Sequence, residues 1–474
     1  MQRKLMVLFV AAAIAGMSAA GHAAQGPSSS QSPYLTPVAS GVEFTSILTV
    51  GDMVRKKHKG NESYRMVGIP DGLGAYDNGD GTITVLMNHE LRNTAGVPRA
   101  HGAKGAFVSK WQIRKSDLAV LNGEDLIQRQ VLTTSTDPAI NRLCSADLPA
   151  RSAFFNSHSG KGFSEGRIFM SGEEVDGAGR AFAHLAAGRD HGTSYELPAL
   201  GKAAWENLIA SPFEQDKTIV AGMDDGARLG SKVYFYVGEK KDSGSPVAMA
   251  GLTGGMTYQV LAGAAATEAT IANDFVARFS LVKTGGTGLN RVEDGGWDTQ
   301  NPNRFYFVTT DQFKGNSRLW SLTFDDITTP ERGGEIRVLI NGAVTGQQMM
   351  DNMTVDGAGN VWLQEDVGNN PHLGKIWKYE PASGALTLVA EHDAARFIAG
   401  APADIDGTDS KQSDEESSGV IEVSDLFAGV PGYDTDLFRY FLLDVQAHYN
   451  SVNGAPLDAE LVEGGQLLMM RAPR

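Results

Sequence analysis

Short runs of β-branched and aromatic residues, each closed by Gly, Asp, Asn or Pro, recur along nearly the whole chain and limit the fold more than any other feature. Thr82 to Met87, Arg167 to Met170, Lys232 to Val237, Arg304 to Thr309, Arg318 to Phe324, Asn360 to Gln364 and Lys375 to Tyr379 read as strands between turns. Helical periodicity is scarce, and 56 glycines in 474 residues supply turns throughout. The segment Met350 to Glu391 is the clearest unit: a turn at Asp356-Gly357-Ala358-Gly359-Asn360, a strand at Val361-Trp362-Leu363, and two further strands around the Pro381-Ala382-Ser383-Gly384 turn. An antiparallel meander of this kind is how a propeller blade is written. Noisier units surround 71–90, 167–196, 218–238 and 291–324. The expected fold is all-β: a single β-propeller of about six blades with loop and short helical insertions. Ala203 to Ala210 reads as the best helical insertion, and Pro402 to Ser417 as an acidic mobile loop.

The start of the chain carries its own signal. Met1-Gln2-Arg3-Lys4, the apolar run Leu5 to Ala15 and the small-residue tail Gly16 to Ala24 have the order of a secretory signal peptide cut after Ala23. The expected organisation is a signal peptide over 1–23, a flexible arm over 24–40 that is rich in Ser, Gln and Pro, and a propeller domain over 41–474. No later segment is apolar enough to span a bilayer. These readings predict a periplasmic or secreted protein acting as a monomer. The formal net charge of −15 would repel the phosphates of nucleic acid, which argues against that class of partner.

Acids gather where the strand-like runs end: Asn88-His89-Glu90, Glu173-Glu174, Asp224-Asp225, Glu293-Asp294, Asp311, Asp351-Asn352 and Glu365-Asp366. In a propeller, loops of successive blades converge at one end of a central channel, so acids far apart in sequence can meet. Converging carboxylates repel one another unless a multivalent cation neutralises them. Clustered Asp, Glu and Asn oxygens suit Ca²⁺. Cys144 is the sole cysteine, so no internal disulfide can form. A thiolate is a poor ligand for calcium and a good one for iron or zinc. The spacings of an ordinary zinc site are missing, and Gly251 to Gly255 and Gly285 to Gly288 lack the Lys-Ser/Thr of a phosphate-binding loop.

Taken in order, Cys144-Ser145, Phe169-Met170-Ser171-Gly172-Glu173-Glu174, Gly188-Arg189, Tyr195-Glu196, Met223-Asp224-Asp225, Arg291-Val292-Glu293 and Met350-Asp351-Asn352-Met353 resemble the PhoX-type alkaline phosphatase family. Glu415-Glu416-Ser417-Ser418-Gly419 and Asp444-Val445-Gln446-Ala447-His448 look like its closing segments. The similarity runs from about 60 to 450. It departs after the cysteine, where Ala146-Asp147-Leu148-Pro149-Ala150-Arg151 stands in place of a Gly/Thr/Pro/Trp-rich stretch.

The resemblance implies an exported metal-dependent phosphatase that hydrolyses phosphate monoesters, with Fe³⁺ and Ca²⁺ as cofactors. It makes Cys144 a bridging thiolate, and Glu173, Glu174, Glu196 and Glu293 carboxylate ligands. Asp351 and Asn352 would face the calcium side, and Arg291 would bind the phosphate, with Glu293 beside it in the catalytic centre. Two other readings stay open on the residues alone: a calcium-dependent propeller lactonase or phosphotriesterase, which has no use for a thiolate, and a non-catalytic calcium-stabilised surface-binding propeller.

Overall fold

The computed structural model describes residues 23–474 except 313, 369, 371, 398–414, 450, 453 and 454. Residues 1–22 of the signal peptide expected over 1–23, and 402–414 of the loop expected over 402–417, lie outside them; Glu415 to Ser417 are not loop but the start of a strand, Glu415–Glu422. Six antiparallel meanders follow one another along the chain. Their innermost strands are Pro70–Asp77, Leu143–Asp147, Trp205–Ala210, Val292–Trp297, Met350–Val355 and Glu415–Glu422, which head blades 1 to 6. Each innermost strand packs against the next, and Glu415–Glu422 packs back against Pro70–Asp77, so the ring closes. The fold is a six-bladed β-propeller.

Closure joins the two ends of the chain. In blade 6, Glu43–Thr49 from the N-terminal side pairs antiparallel with the C-terminal strand Gly464–Pro473. The arm expected to be flexible over 24–40 is instead tied down. Leu35–Pro37 adds to the edge of blade 5, and Ala23–Gln25 runs parallel to Phe44–Ser46 at the edge of blade 6. The Gln466 side chain holds Tyr34 N at 2.7 Å and Ser32 O at 3.0 Å. An outer blade edge presents unpaired amides and carbonyls, and covering it recruits whatever chain lies near. Blades 3 and 4 are fused by Val276–Val282, which pairs with the outer strand of each.

Apolar clusters fill the spaces between blades. Strand Arg304–Thr309 shows why its residues alternate in facing: Phe305 and Phe307 pack into the layer shared with blade 3, Tyr306 and Val308 into the layer shared with blade 5. A strand buried on both faces reads as a continuous apolar run. The same burial corrects the helix expected at Ala203 to Ala210. Trp205–Ala210 is a strand, with Trp205 and Leu208 in the layer between blades 2 and 3 and Ile209 in that between blades 3 and 4. At the turn of blade 5, the Asp356 carboxylate accepts from Ala358 N, Asn360 N and Trp362 Nε1, while Gly359 takes φ 85°.

Candidate metal centre

At one end of the channel all six innermost strands depart from regular pairing. Register shifts interrupt the ladder at Asp71/Leu73, Leu143/Ala146, Trp205/Asn207, Val292/Gly295, Met350/Met353 and Ser417/Val420. A bulge re-aims the side chains of the extra residues. Beside these six sit Asp71, Cys144, Glu206, Glu293, Asp351 and Glu416, one from each blade and all buried. The residue following the second strand of a blade comes to the same level, which adds Glu90, Glu174, Asp225 and Asp366, with His448 on blade 6. A repeated backbone bond places these residues: the amides of Glu90, Glu174, Asp225, Thr310 and Asp366 donate to the carbonyls of Ile69, Arg142, Ala204, Arg291 and Met349 at 2.8 to 3.0 Å. Four of those acceptors, Ile69, Arg142, Arg291 and Met349, are non-glycine residues in the left-handed region, with φ between 50° and 58°. Such backbone costs about 1 kcal/mol or more per residue and persists where surrounding structure dictates it.

The acids form a continuous chain of donors. Asp71, Glu90 and Cys144 bring ligand atoms within 4.8 Å of one another, as do Cys144, Glu174 and Glu206, and again Glu206, Glu293 and Asp351. Cys144 and Glu206 are therefore shared between neighbouring groups. The Cys144 thiol donates to Asp71 Oδ2 at 3.2 Å. Burial, then neighbouring carboxylates, pushes the Cys144 thiol up and raises Asp71, Glu174, Glu206, Glu293 and Asp351. Asp366 is carried to about 7 by burial and by Glu416. Gln446 donates one amide nitrogen to Asp71, Glu90 and Glu416 at 3.1 to 3.3 Å. Glu206 Oε1, Asn352 Oδ1 and Gln446 Oε1 are buried and meet no hydrogen-bond donor among the described residues. Crowded like charges and orphaned acceptors on one face fit a set of cations, and the thiol among carboxylates fits a mixture of thiophilic and hard metals.

Arg142, Arg291 and His448 border the cluster of acids. Arg142 reaches Glu90 at 2.6 Å and Glu174 at 2.5 Å. Arg291 forks onto Asp225 at 2.9 and 2.8 Å and lies 3.3 Å from Glu293. His448 sits 2.8 Å from Glu463 and 3.8 Å from Glu416; burial opposes its charge, but the two glutamates outweigh it and raise its pKa well above the ordinary value. Beneath the acids runs a polar belt in which Asn207 Nδ2 donates to Ser145 and Asp294, and Asn352 Nδ2 to Asp71.

Of the residues expected from sequence, Cys144, Glu174, Glu293, Asp351, Asn352 and Arg291 meet at this level. Glu173 and Glu196 do not. Glu173, last residue of its strand, is bound by Arg180 at 2.6 Å and by Asn141 N at 3.0 Å. Glu196 belongs to Thr193–Glu196, with two strands between it and the strand of Cys144. Its carboxylate accepts from Thr133 N at 2.7 Å and Thr134 N at 2.9 Å, and these threonines outweigh burial and hold its pKa low. Asp71 and Glu206 escaped sequence reading. Asp71-Gly72 resembles a turn, and Glu206 lies inside the run mistaken for a helix. His89 faces away from the centre, against Ser109 and Gly68 O, and burial lowers its pKa to about 3. Gly162-Phe163-Ser164-Glu165-Gly166 spells a nucleophile-elbow string, but it leads into a strand and Ser164 is an exposed loop residue, so it has none of that motif's geometry.

Fold and donor set together define a six-bladed propeller with a thiol and carboxylate cluster at one mouth of its channel. Among solved structures, Pseudomonas fluorescens PhoX in complex with vanadate, a transition-state analogue, superposes with a TM-score of 0.60 at 11% identity, over 95% of this chain and 97% of that one. At that identity the likeness is one of fold. A fungal alcohol oxidase of the AA5 family in complex with copper gives a TM-score of 0.41 at 11% identity over 90% of this chain and 76% of that one. Trypanosoma rangeli sialidase gives 0.41 at 8% identity over 92% and 60%. No family model matches the sequence, and no curated protein does.

Proposed function

We propose that this protein is an exported metal-dependent hydrolase of phosphate monoesters, working at an iron and calcium centre held by Cys144 and the surrounding acids. The observation that carries the reading is the sharing of Cys144 between two groups of carboxylates drawn from different blades. A calcium-only enzyme or a rigidifying calcium site needs the oxygens and not the sulfur. Asp71, Glu90, Glu174 and Glu206 would hold the metals next to the thiolate, and Glu206, Glu293, Asp351 and Asn352 those beyond it. When bound, the metals polarise the phosphoryl oxygens and lower the pKa of an attacking water.

The chain's own groups do the rest. Arg291 presents a planar fork whose Nη1 donates no hydrogen bond among the described residues, so it can take a phosphoryl oxygen while Asp225 keeps the other edge in place. His448, charged between Glu416 and Glu463, adds a positive charge at the rim where a dianion arrives. Glu173 and Glu196 act as structural supports of blade 2. No helix among the described residues is long and apolar enough to cross a membrane. With the N-terminal segment read as a signal peptide, this fits an enzyme working outside the cytoplasm.

Elemental analysis of native protein, paired with p-nitrophenyl phosphate turnover, tests the proposal. Iron and calcium should both be present, the iron with a thiolate charge-transfer colour, and Cys144→Ala should abolish colour and turnover together. Full turnover in Cys144→Ala would remove iron from the reading. Bound metal without hydrolysis of any phosphate monoester would leave the non-catalytic reading in its place.

A further inference from the structure

We propose that Arg142 is a second anchor for the substrate's phosphate, the counterpart of Arg291 on another blade, and that the two together select a group carrying two negative charges. This rests on the phosphatase reading above. Arg142 and Arg291 occupy the same position in their blades. Each lies two residues before a cluster side chain, Cys144 or Glu293, and each offers its carbonyl to the amide just after the blade's second strand. Each has left-handed backbone, φ 51° and 58°. Equal backbone conformation at equal places in a ring sends the two side chains to equivalent points on the rim. The corresponding positions carry Ile69 on blade 1, Ala204 on blade 3 and Met349 on blade 5. Among the described residues, then, this position holds a guanidinium only on blades 2 and 4, straddling blade 3, which contributes the shared ligand Glu206.

The two guanidinia are held alike. Arg142 spends Nε and Nη2 on Glu90 and Glu174, and Arg291 spends the same atoms on Asp225 and Glu293. Among the described residues, Nη1 of neither arginine donates a hydrogen bond, the donors being Nε and Nη2. Their side chains keep 34% and 29% exposure, whereas the acids they bind keep 8% or less. A strained backbone, a fixed fork and a free outward nitrogen are what a positioned oxyanion donor needs. Arg142 binds Glu174 and Arg291 lies beside Glu293, and each of these acids shares a ligand group with Glu206, so the two guanidinia flank the blade 3 ligand. A phosphate monoester near neutral pH offers three terminal oxygens and two charges, enough for both anchors and the metals. A diester has one charge and two such oxygens, and must forgo one contact.

The test uses the full metal-loaded protein with Arg142→Ala and Arg142→Lys. Inorganic phosphate and vanadate binding is measured by competition and calorimetry, and hydrolysis of p-nitrophenyl phosphate against bis-p-nitrophenyl phosphate, with metal content determined for each variant. Arg142→Ala should weaken phosphate binding by roughly 10- to 100-fold, as loss of a charge-assisted bond does. The monoester-to-diester ratio of kcat/KM should fall by about as much, with metal content at the wild-type level, and Arg142→Lys should recover part of both. Unchanged phosphate affinity and ratio in metal-replete Arg142→Ala would overturn the second anchor while leaving the phosphatase intact. If both variants lose metal yet their loaded fraction binds phosphate normally, Arg142 is a structural clamp and the inference fails. A wild-type protein that neither binds phosphate nor cleaves monoesters would overturn both readings.

Discussion

The two ends of the propeller channel are made by the same six strands and differ in almost every physical respect. At the end of the candidate metal centre the strands bulge, four neighbouring backbones are left-handed, and carboxylates crowd around one thiol. At the opposite end the ladders run regularly and open into a cavity of about 1160 Å³, whose wall includes Leu73, Tyr76, Leu148, Val355, Ile421 and Arg439. There Arg439 lies 2.8 Å from Glu422 and 3.2 Å from the fully buried Asp356. This cavity lies at the end without the donor set, and it is irregular backbone and crowded charge, rather than volume, that mark the candidate site.

The contrast can be attacked first at its centre. Glu206→Gln removes a carboxylate oxygen shared by two groups and, on the proposed function, should lower turnover of p-nitrophenyl phosphate at least about 100-fold with loss of metal. Normal activity with full metal content would show that the two groups work independently. Metal removal should expose the next difference. The carboxyls of Asp71, Glu174, Glu206, Glu293, Asp351 and Asp366 have folded pKa values above their unfolded ones, so the unfolded state holds fewer of their protons and stability falls as pH rises through the folded values. Chelated protein should therefore melt well below the loaded form at pH 8 and regain stability towards pH 5, with Asp366 titrating near 7. A melting temperature equal at both pH values would mean the acids do not repel.

At the far end, Arg439→Met should cost about 3 kcal/mol by leaving Asp356 and Glu422 uncompensated, without changing metal content or turnover. A change in turnover would show that the two ends communicate. The smallest effect should come from Glu196→Gln, which keeps a hydrogen-bond acceptor for Thr133 and Thr134. Stability should change by about 1 kcal/mol or less, and thermal melting with metal analysis checks both parts. Lost metal there would return Glu196 to the ligand set.

Much of this was written locally. Strand runs such as Arg304 to Thr309 and Lys375 to Tyr379 were legible because β-branched and aromatic residues between turn formers have few other uses. Glu174, Glu293 and Asp351 stood out as acids at the ends of such runs. Asp71 was hidden because Asp-Gly is also a turn signal. Glu206 was hidden because a strand buried on both faces lacks the alternation that separates it from a helix. Glu173 and Glu196 look no different from ligands in sequence, since what removes them from the centre is facing and strand order. A weak recurrence was available: Leu143-Cys144-Ser145, Trp205-Glu206-Asn207, Val292-Glu293-Asp294 and Met350-Asp351-Asn352 each place an acid or thiol between an apolar and a small or polar residue.

Composition and periodicity by themselves determined that this chain is all-β, that its strands come in blade-like groups, and that it owns one thiol and many acids near strand ends. Only the closed ring decided which of them meet. Covalent neighbours control backbone preference and turn formation, whereas Asp71, Cys144, Glu206, Glu293, Asp351 and Glu416 are brought together by the interblade apolar layers and by six bulges at one level. That convergence is a property of the ring and is encoded in no single stretch of chain.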